Sequence, residues 1–160
     1  MSKLKNILRK RRVIKRILIK LEKLYINIKG KMNKKLKSPE EWFNQANYDL
    51  ETAKEMFKAK RYIYTVFMCH LSLEKAFKGF YTKALHQVPP KIHNLIYFIE
   101  KMRLKLPEKM YDFIFSLNRV SIPTRYPDDL KRMLKDYDQG ITKTILKSSE
   151  EALKWLRAKL

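Results

Sequence analysis

Residues 62–85 read YIYTVFMCHLSLEKAFKGFYTKAL, a stretch with no proline and a single glycine, Gly79. Apolar side chains occupy nearly every position of its first half, so a helix formed here would be apolar on most sides and has to be covered. We therefore predict that this helix is the centre of the fold. Its apolar surface is larger than a single bundle can easily bury. We therefore expect part of this surface to lie near a dimer interface. His70, Glu74 and Lys75 interrupt that surface within two turns.

The positive charge of the chain is unevenly distributed. The 160 residues carry a formal net charge of +21. Residues 1–37 contain 15 Lys or Arg and a single acidic residue, Glu22, whereas residues 38–160 contain 22 basic and 15 acidic residues. This asymmetry predicts two parts, a basic amphipathic helix with a linker over 1–37 and a helical bundle over 38–160.

The predicted amino-terminal helix has apolar residues at helical spacing over positions 3–28, with Lys and Arg on its other face. It should end near Gly30. A nucleic-acid arm, a membrane-surface helix and a helix that docks on a partner protein all fit this pattern. An extension without a function of its own, upstream of an alternative start at Met32, fits as well.

Several classes of protein are excluded by what the sequence lacks. No run approaches the roughly 20 apolar residues that a membrane-spanning helix needs, and Lys15, Arg16 and Lys20 interrupt any secretory signal. The single cysteine, Cys69, is expected in the core of a protein from a reducing cytosol. Three unclustered glycines give no phosphate-binding loop, and three scattered histidines give no metal site. We therefore expect a cytoplasmic protein with no cofactor.

The rest of the chain shows helix boundaries and no convincing alternation at period two. Ser38 and Pro39 begin a helix that runs to about Lys58, with Ser38 as its cap. Further helices are predicted over about 94–103, after Pro107, and over about 137–159, with an irregular segment at 118–129. The predicted fold is an all-α bundle.

Two groups of polar residues on or near the helices could form a site. His70 and Glu74 are four residues apart, as are Glu74 and Lys78, so each pair shares a helix face. They could line a cleft, or form a carboxylate-paired core histidine with a surface ion pair. His93 and Asn94 precede an apolar run, where a polar residue is typical of a helix cap, and His93 could instead lie in a pocket.

A third group lies in the irregular segment Thr124–Asp129. Pro127 biases Tyr126 toward extended backbone, so the turn presents an arginine, an aromatic ring and a carboxylate in a fixed arrangement. Arg125 beside Tyr126 suits a phosphate and a base. Alternatively, Arg125 pairs with Asp128 or Asp129 and only holds the loop.

The chain from about Ser38 to its carboxyl terminus resembles the HEPN domain (higher eukaryote and prokaryote nucleotide-binding). The similarity rests on five short motifs in a fixed order, namely Trp42 with Ala46–Leu50 (ANYDL), His70 with Glu74-Lys75-Ala76, His93-Asn94-Leu95, Arg125-Tyr126-Pro127-Asp128, and Ala152–Leu156 (ALKWL). Residues 1–37 lie outside it.

The resemblance implies an antiparallel bundle of four to five helices, with the basic amino-terminal helix as an addition. It also implies a protein that commonly forms homodimers and is often paired with a minimal nucleotidyltransferase, frequently as a toxin–antitoxin set. Many HEPN proteins are ribonucleases that use an Arg followed four to six residues later by a His. This chain departs from that motif, because its last histidine, His93, precedes both Arg119 and Arg125.

The expected function is therefore a nucleotide- or RNA-binding module without catalytic activity, working beside a nucleotidyltransferase. Its ligand-binding residues would be Arg125, Tyr126, Asp128, His93, His70, Glu74 and Lys75. The alternative is a divergent ribonuclease toxin that uses Arg125 without the usual histidine.

Overall fold

The computed structural model describes residues 15–27 and 36–160. The chain forms two compact units, residues 1–36 and 37–160. In the first unit, residues 15–27 form helix α1, and all of its side chains are exposed. The predicted helical positions before residue 15 and most of the predicted linker lie outside the described residues.

The second unit contains four long helices and two short ones. They are α2 (Pro39–Lys58), α3 (Tyr62–Leu85), α4 (Leu95–Lys101), α5 (Glu108–Arg119), α6 (Leu130–Asp136) and α7 (Gln139–Ala158). Residues 15–27 and 36–160 include no strand, so the predicted all-α fold is confirmed. Ser38 caps α2 as predicted, its Oγ accepting from the Glu41 N–H at 3.1 Å, while the Glu41 carboxylate accepts from Gln45. The short helix α6 was not predicted.

Helix α3 is the centre of the second unit and contacts each of its other five helices. Val66, Leu73 and Phe77 are completely buried in the core that these helices share. Phe67, Leu71 and Phe80, which were also expected near a dimer interface, are partly buried. A single chain thus covers much of the apolar surface of α3.

Helix α2 packs tightly against α3 at Gly79. A Cβ atom at this position would lie 2.8 Å from Cδ2 of Phe43 and 3.0 Å from Cβ of Trp42. Since the ring of Phe43 is buried, no side chain fits here without displacing α2. This contact fixes the position of Trp42 relative to the face of α3 described next.

Candidate functional site

One face of α3 carries Phe67, His70, Glu74 and Lys78, which lie one above the other at helical spacing. Two segments outside α3 contact this face. Nδ1 of His93, just before α4, lies 2.8 Å from Oε2 of Glu74, and the guanidinium of Arg125, after α5, lies 4.9 Å from the ring centre of Phe67. We call the set Phe67, His70, Glu74, Lys78, His93 and Arg125 the α3 site.

Glu74 holds two basic side chains of the site together. Its side chain is only 3% exposed, and its Oε1 accepts a hydrogen bond of 2.6 Å from Nζ of Lys78. Burial by itself raises the pKa of Glu74, but the hydrogen bonds from Lys78 and His93 outweigh it, so the pKa is lowered. Glu74 is therefore an ionised carboxylate that orients both partners.

His93 is oriented by Glu74 yet accessible, since 57% of its side chain is exposed. Because a carboxylate accepts, Nδ1 of His93 donates in this bond, and a neutral ring then keeps the lone pair on Nε2. The next residue, Asn94, caps α4 by accepting from the N–H groups of Ile96 and Tyr97. The cap is thus observed at Asn94, while the side chain of His93 contacts Glu74, and its role in a pocket stays a prediction.

His70 lies at the base of the site, completely buried. Within the described part of the chain, neither of its ring nitrogens has a hydrogen-bond partner. The pKa of His70 is lowered to about 4, mainly because burial disfavours the charged ring; Arg125 and His93 also lower the pKa, while Glu74 and the backbone of His93 raise it. The alternative of a carboxylate-paired core histidine is not observed, because Glu74 bonds His93 and not His70.

Arg125 lies over Phe67, and its Nε is buried without a hydrogen-bond partner. Among residues 15–27 and 36–160 we find no ion pair to its guanidinium, so the alternative of a local pair with Asp128 or Asp129 is not observed. Asp129 instead caps α6, accepting from the Arg132 N–H at 3.0 Å. Arg125 is thus a positioned cation whose charge is not neutralised by a neighbouring side chain.

The structure places the other three predicted residues differently. Nζ of Lys75 forms an ion pair of 2.6 Å with Oδ2 of Asp49 on α2, so the charge of Lys75 is already paired. Burial raises the pKa of Asp49, against the opposing effect of Lys75. Tyr126 is 77% exposed and Asp128 is also exposed, and neither side chain has a polar or ring contact with the described part of the chain. Four predicted residues, His70, Glu74, His93 and Arg125, therefore come together, and three do not join them.

Two members of the site, Phe67 and Lys78, were not among the predicted ligand-binding residues. The spacing of Lys78 from Glu74 signalled their pairing, although the pair is buried rather than on the surface. Lys78 also lies 5.8 Å from the ring centre of Trp42, and Nζ of Lys37 lies 3.9 Å from the same ring. The contact of Phe67 with Arg125 joins residues far apart in the chain, which no local pattern indicates.

Two cavities lie away from the α3 site. One of about 110 Å³ is enclosed mainly by α5 and α7, and one of about 190 Å³ by α2 and α7. In the described part of the chain, no cluster of His, Cys, Asp and Glu is arranged to hold a metal ion. None of the described helices has the length and apolarity needed to cross a membrane.

Comparison with known proteins shows which solved structures have a similar fold and to which family the chain belongs. No curated protein matches the chain. The chain is similar to TT1696 from Thermus thermophilus, with 23% identity and a TM-score of 0.68 over 76% of this chain and 98% of that one. It is also similar to ST0689, an archaeal HEPN homologue, with 22% identity and a TM-score of 0.62 over 77% of this chain and 98% of that one. The HEPN domain model matches residues 39–159, and the chain therefore belongs to the HEPN family.

Proposed function

We propose that the chain is a nucleotide- or RNA-binding module whose α3 site holds a phosphate group. The observation that carries this proposal is Arg125, a guanidinium held over Phe67 with no ion-pair partner in the described residues. The ring of His93, which Glu74 holds on the same face of α3, is accessible and could donate a second hydrogen bond when protonated. A phosphate would thus meet two donors, while Glu74 has its charge balanced by Lys78 and His93.

The turn that carries Arg125 also offers a surface for a base. Tyr126 is 77% exposed, and exposed aromatic rings beside cations bind bases of single-stranded nucleic acids by stacking. Because the bases of a duplex are already stacked on one another, this arrangement favours a nucleotide or a single strand over a duplex.

Titration of ATP and of a short single-stranded RNA into the purified protein tests the proposal. We expect Arg125→Ala to weaken binding by about tenfold or more, the effect of losing a charge-assisted hydrogen bond. Arg119→Ala is the matched control, since Arg119 is exposed at the end of α5 and removes the same charge. Equal affinities for the wild-type protein and both variants would refute a phosphate site at Arg125.

The Glu74–His93 pair supports a second candidate, the divergent ribonuclease. A carboxylate that fixes a histidine through Nδ1 leaves Nε2 as a general base, which the sequence motif did not provide. In this proposal His93 removes the proton of a 2′-hydroxyl, whose oxygen attacks the adjacent phosphorus to form a 2′,3′-cyclic phosphate. The P–O5′ bond breaks, the leaving 5′-oxygen takes a proton from water, and Arg125 stabilises the charge that develops on the phosphate.

Incubation of the protein with a labelled RNA under metal-free conditions separates the two candidates. Cleavage that His93→Ala abolishes, and that Arg125→Ala reduces strongly, would establish the enzyme. Intact RNA in the presence of protein that binds it would leave the binding module as the function.

We further propose that the module acts in the cytoplasm as a homodimer beside a nucleotidyltransferase. Family membership supports the partner. A self-contact is supported by three exposed apolar side chains in and before α6, namely Ile122, Leu130 and Leu134. Light scattering of the wild-type protein and of Leu134→Lys tests the dimer. Co-purification with the product of a neighbouring nucleotidyltransferase gene tests the partner.

A further inference from the structure

We propose that α1 binds an anionic membrane surface, with its apolar side against the lipid and its basic side chains at the headgroups. This inference concerns residues 15–27 and is independent of the function proposed for the α3 site. It selects one of the alternatives that the sequence leaves open for the amino-terminal helix.

The apolar side of α1 consists of Ile17, Leu18, Leu21 and Leu24. At about 100° per residue these four side chains span an arc of roughly 120°, the width typical of a helix face that is buried against another phase. All four are more than half exposed, between 51% and 58%. Four large aliphatic side chains in water on one side of a short helix are unfavourable unless something covers them.

The basic residues of α1 lie outside this apolar arc. Arg16 and Lys23 fall near the centre of the remaining arc, Lys15 and Lys20 lie on its two flanks, and Ile19 and Ile26 lie between Lys15 and Lys23. Further Lys and Arg residues precede α1 in the chain, at positions 3, 5, 9, 10, 11 and 12. An interfacial helix places its apolar face below the headgroups while its Lys and Arg side chains extend to them, and this combination fits α1.

The charge of the amino-terminal part selects among the possible occupants of this face. Each basic side chain near an anionic leaflet is attracted to it, so a segment with this excess of Lys and Arg favours anionic lipid. A nucleic acid would attract the same charges but would leave Ile17, Leu18, Leu21 and Leu24 in water. A second copy of α1 would bring the same excess of positive charge and would be repelled. A membrane surface covers the arc of Ile17, Leu18, Leu21 and Leu24 and attracts the basic side chains, while Ile19 and Ile26 stay on the water side.

Co-sedimentation of the full-length protein with vesicles tests the inference. We expect binding to vesicles of equimolar phosphatidylcholine and phosphatidylglycerol and much weaker binding to phosphatidylcholine alone. The double variant Leu18→Asn/Leu21→Asn should reduce partitioning by about tenfold or more, because two apolar groups can no longer be buried. Lys20→Gln/Lys23→Gln should reduce it by about fivefold for each charge removed.

The matched control is Ile19→Asn/Ile26→Asn. It makes the same chemical change in the same helix, but these two residues lie outside the arc of Ile17, Leu18, Leu21 and Leu24. We expect it to keep most of the vesicle binding. Circular dichroism with vesicles would show whether each variant still forms the helix.

Three outcomes would overturn the inference. The first is that the wild-type protein does not sediment with anionic vesicles. The second is that the two Asn double variants lose vesicle binding equally. The third is that the protein binds a single-stranded RNA through the lysines of α1 and does not bind vesicles. Failure of the nucleotide proposal is recognised separately, because it is measured with Arg125→Ala and nucleotides and leaves vesicle binding unchanged.

Discussion

His70 is the residue of the α3 site whose protonation most affects folding, since it is buried, neutral and unpaired. Its pKa is about 4 in the folded protein against an ordinary value of 6.5, mainly because burial disfavours the charged ring. The unfolded chain therefore takes up the proton first as the pH falls. The stabilising effect of a neutral His70 is complete above about pH 6.5 and is lost progressively down to about pH 4.

We expect acidification from about pH 7 to pH 5 to lower the free energy of unfolding by about 2 kcal/mol through His70. In His70→Gln, which is neutral at both pH values, this part of the pH dependence should vanish. Urea unfolding of both proteins at the two pH values measures it. The control is His86→Asn, because His86 is exposed and its left-handed backbone, with φ of 50°, suits asparagine. An unchanged pH dependence in His70→Gln would contradict the assignment.

Gly79 is a second residue whose surroundings determine how a substitution changes the free energy of unfolding. Gly79→Ala places a Cβ 2.8 Å from the buried ring of Phe43, which must move. Overpacking costs about 1–3 kcal/mol, and the better helix propensity of alanine returns about 1 kcal/mol, so we expect a net loss of up to roughly 2 kcal/mol.

The matched control for Gly79→Ala is Gly140→Ala, also in a helix. The nearest atom to its new Cβ would be Oδ1 of Asp138 at 3.5 Å, an ordinary contact. This variant should be as stable as the wild-type protein or gain up to about 1 kcal/mol. Equal unfolding midpoints for the two variants would mean that α2 adjusts to the added methyl group.

Removal of the helix cap should have different effects on stability in the two short helices, α4 and α6. Asn94 caps α4, whose Leu95, Phe98 and Ile99 are buried, whereas Asp129 caps α6, which buries no residue. Removal of a cap costs about 0.5–2 kcal/mol of helix stability. In α4 that cost is transmitted to the core, so Asn94→Ala should lower the global free energy of unfolding. In α6 it should remain local.

Urea unfolding together with amide hydrogen exchange distinguishes the two effects. We expect Asp129→Ala to accelerate exchange within Leu130–Asp136 and to leave the unfolding midpoint nearly unchanged. A loss of global stability in Asp129→Ala equal to that in Asn94→Ala would show that α6 is part of the cooperative core.

The elements also show how far the sequence allows the structure to be predicted. Helix α3 was predicted from Tyr62 to Leu85 because its apolar pattern and its lack of proline are local properties. Helix α6 was missed because it buries nothing and so shows no core-facing stripe. The histidine partner of Glu74 was missed for a different reason. His70, four residues away, satisfies the local spacing, but the actual partner, His93, arrives from another segment.

At the scale of the whole molecule, charge and core belong to different parts of the chain. Within residues 15–27 and 36–160, every buried residue of the core cluster lies between Phe43 and Leu156. Most of the excess positive charge precedes residue 38. Stability should therefore depend on one part and electrostatic binding on the other.

A fragment of residues 37–160 tests this separation. It keeps Lys37, whose Nζ lies 3.9 Å from the ring centre of Trp42 and also donates to Oε1 of Gln45. Because the fragment retains every residue of the core cluster, we expect it to unfold in urea at the same midpoint as the full chain. It should elute much earlier from a cation exchanger, since it lacks 14 of the Lys and Arg residues. A fragment that is aggregated, or that unfolds without a cooperative transition, would show that residues 1–36 contribute to the fold.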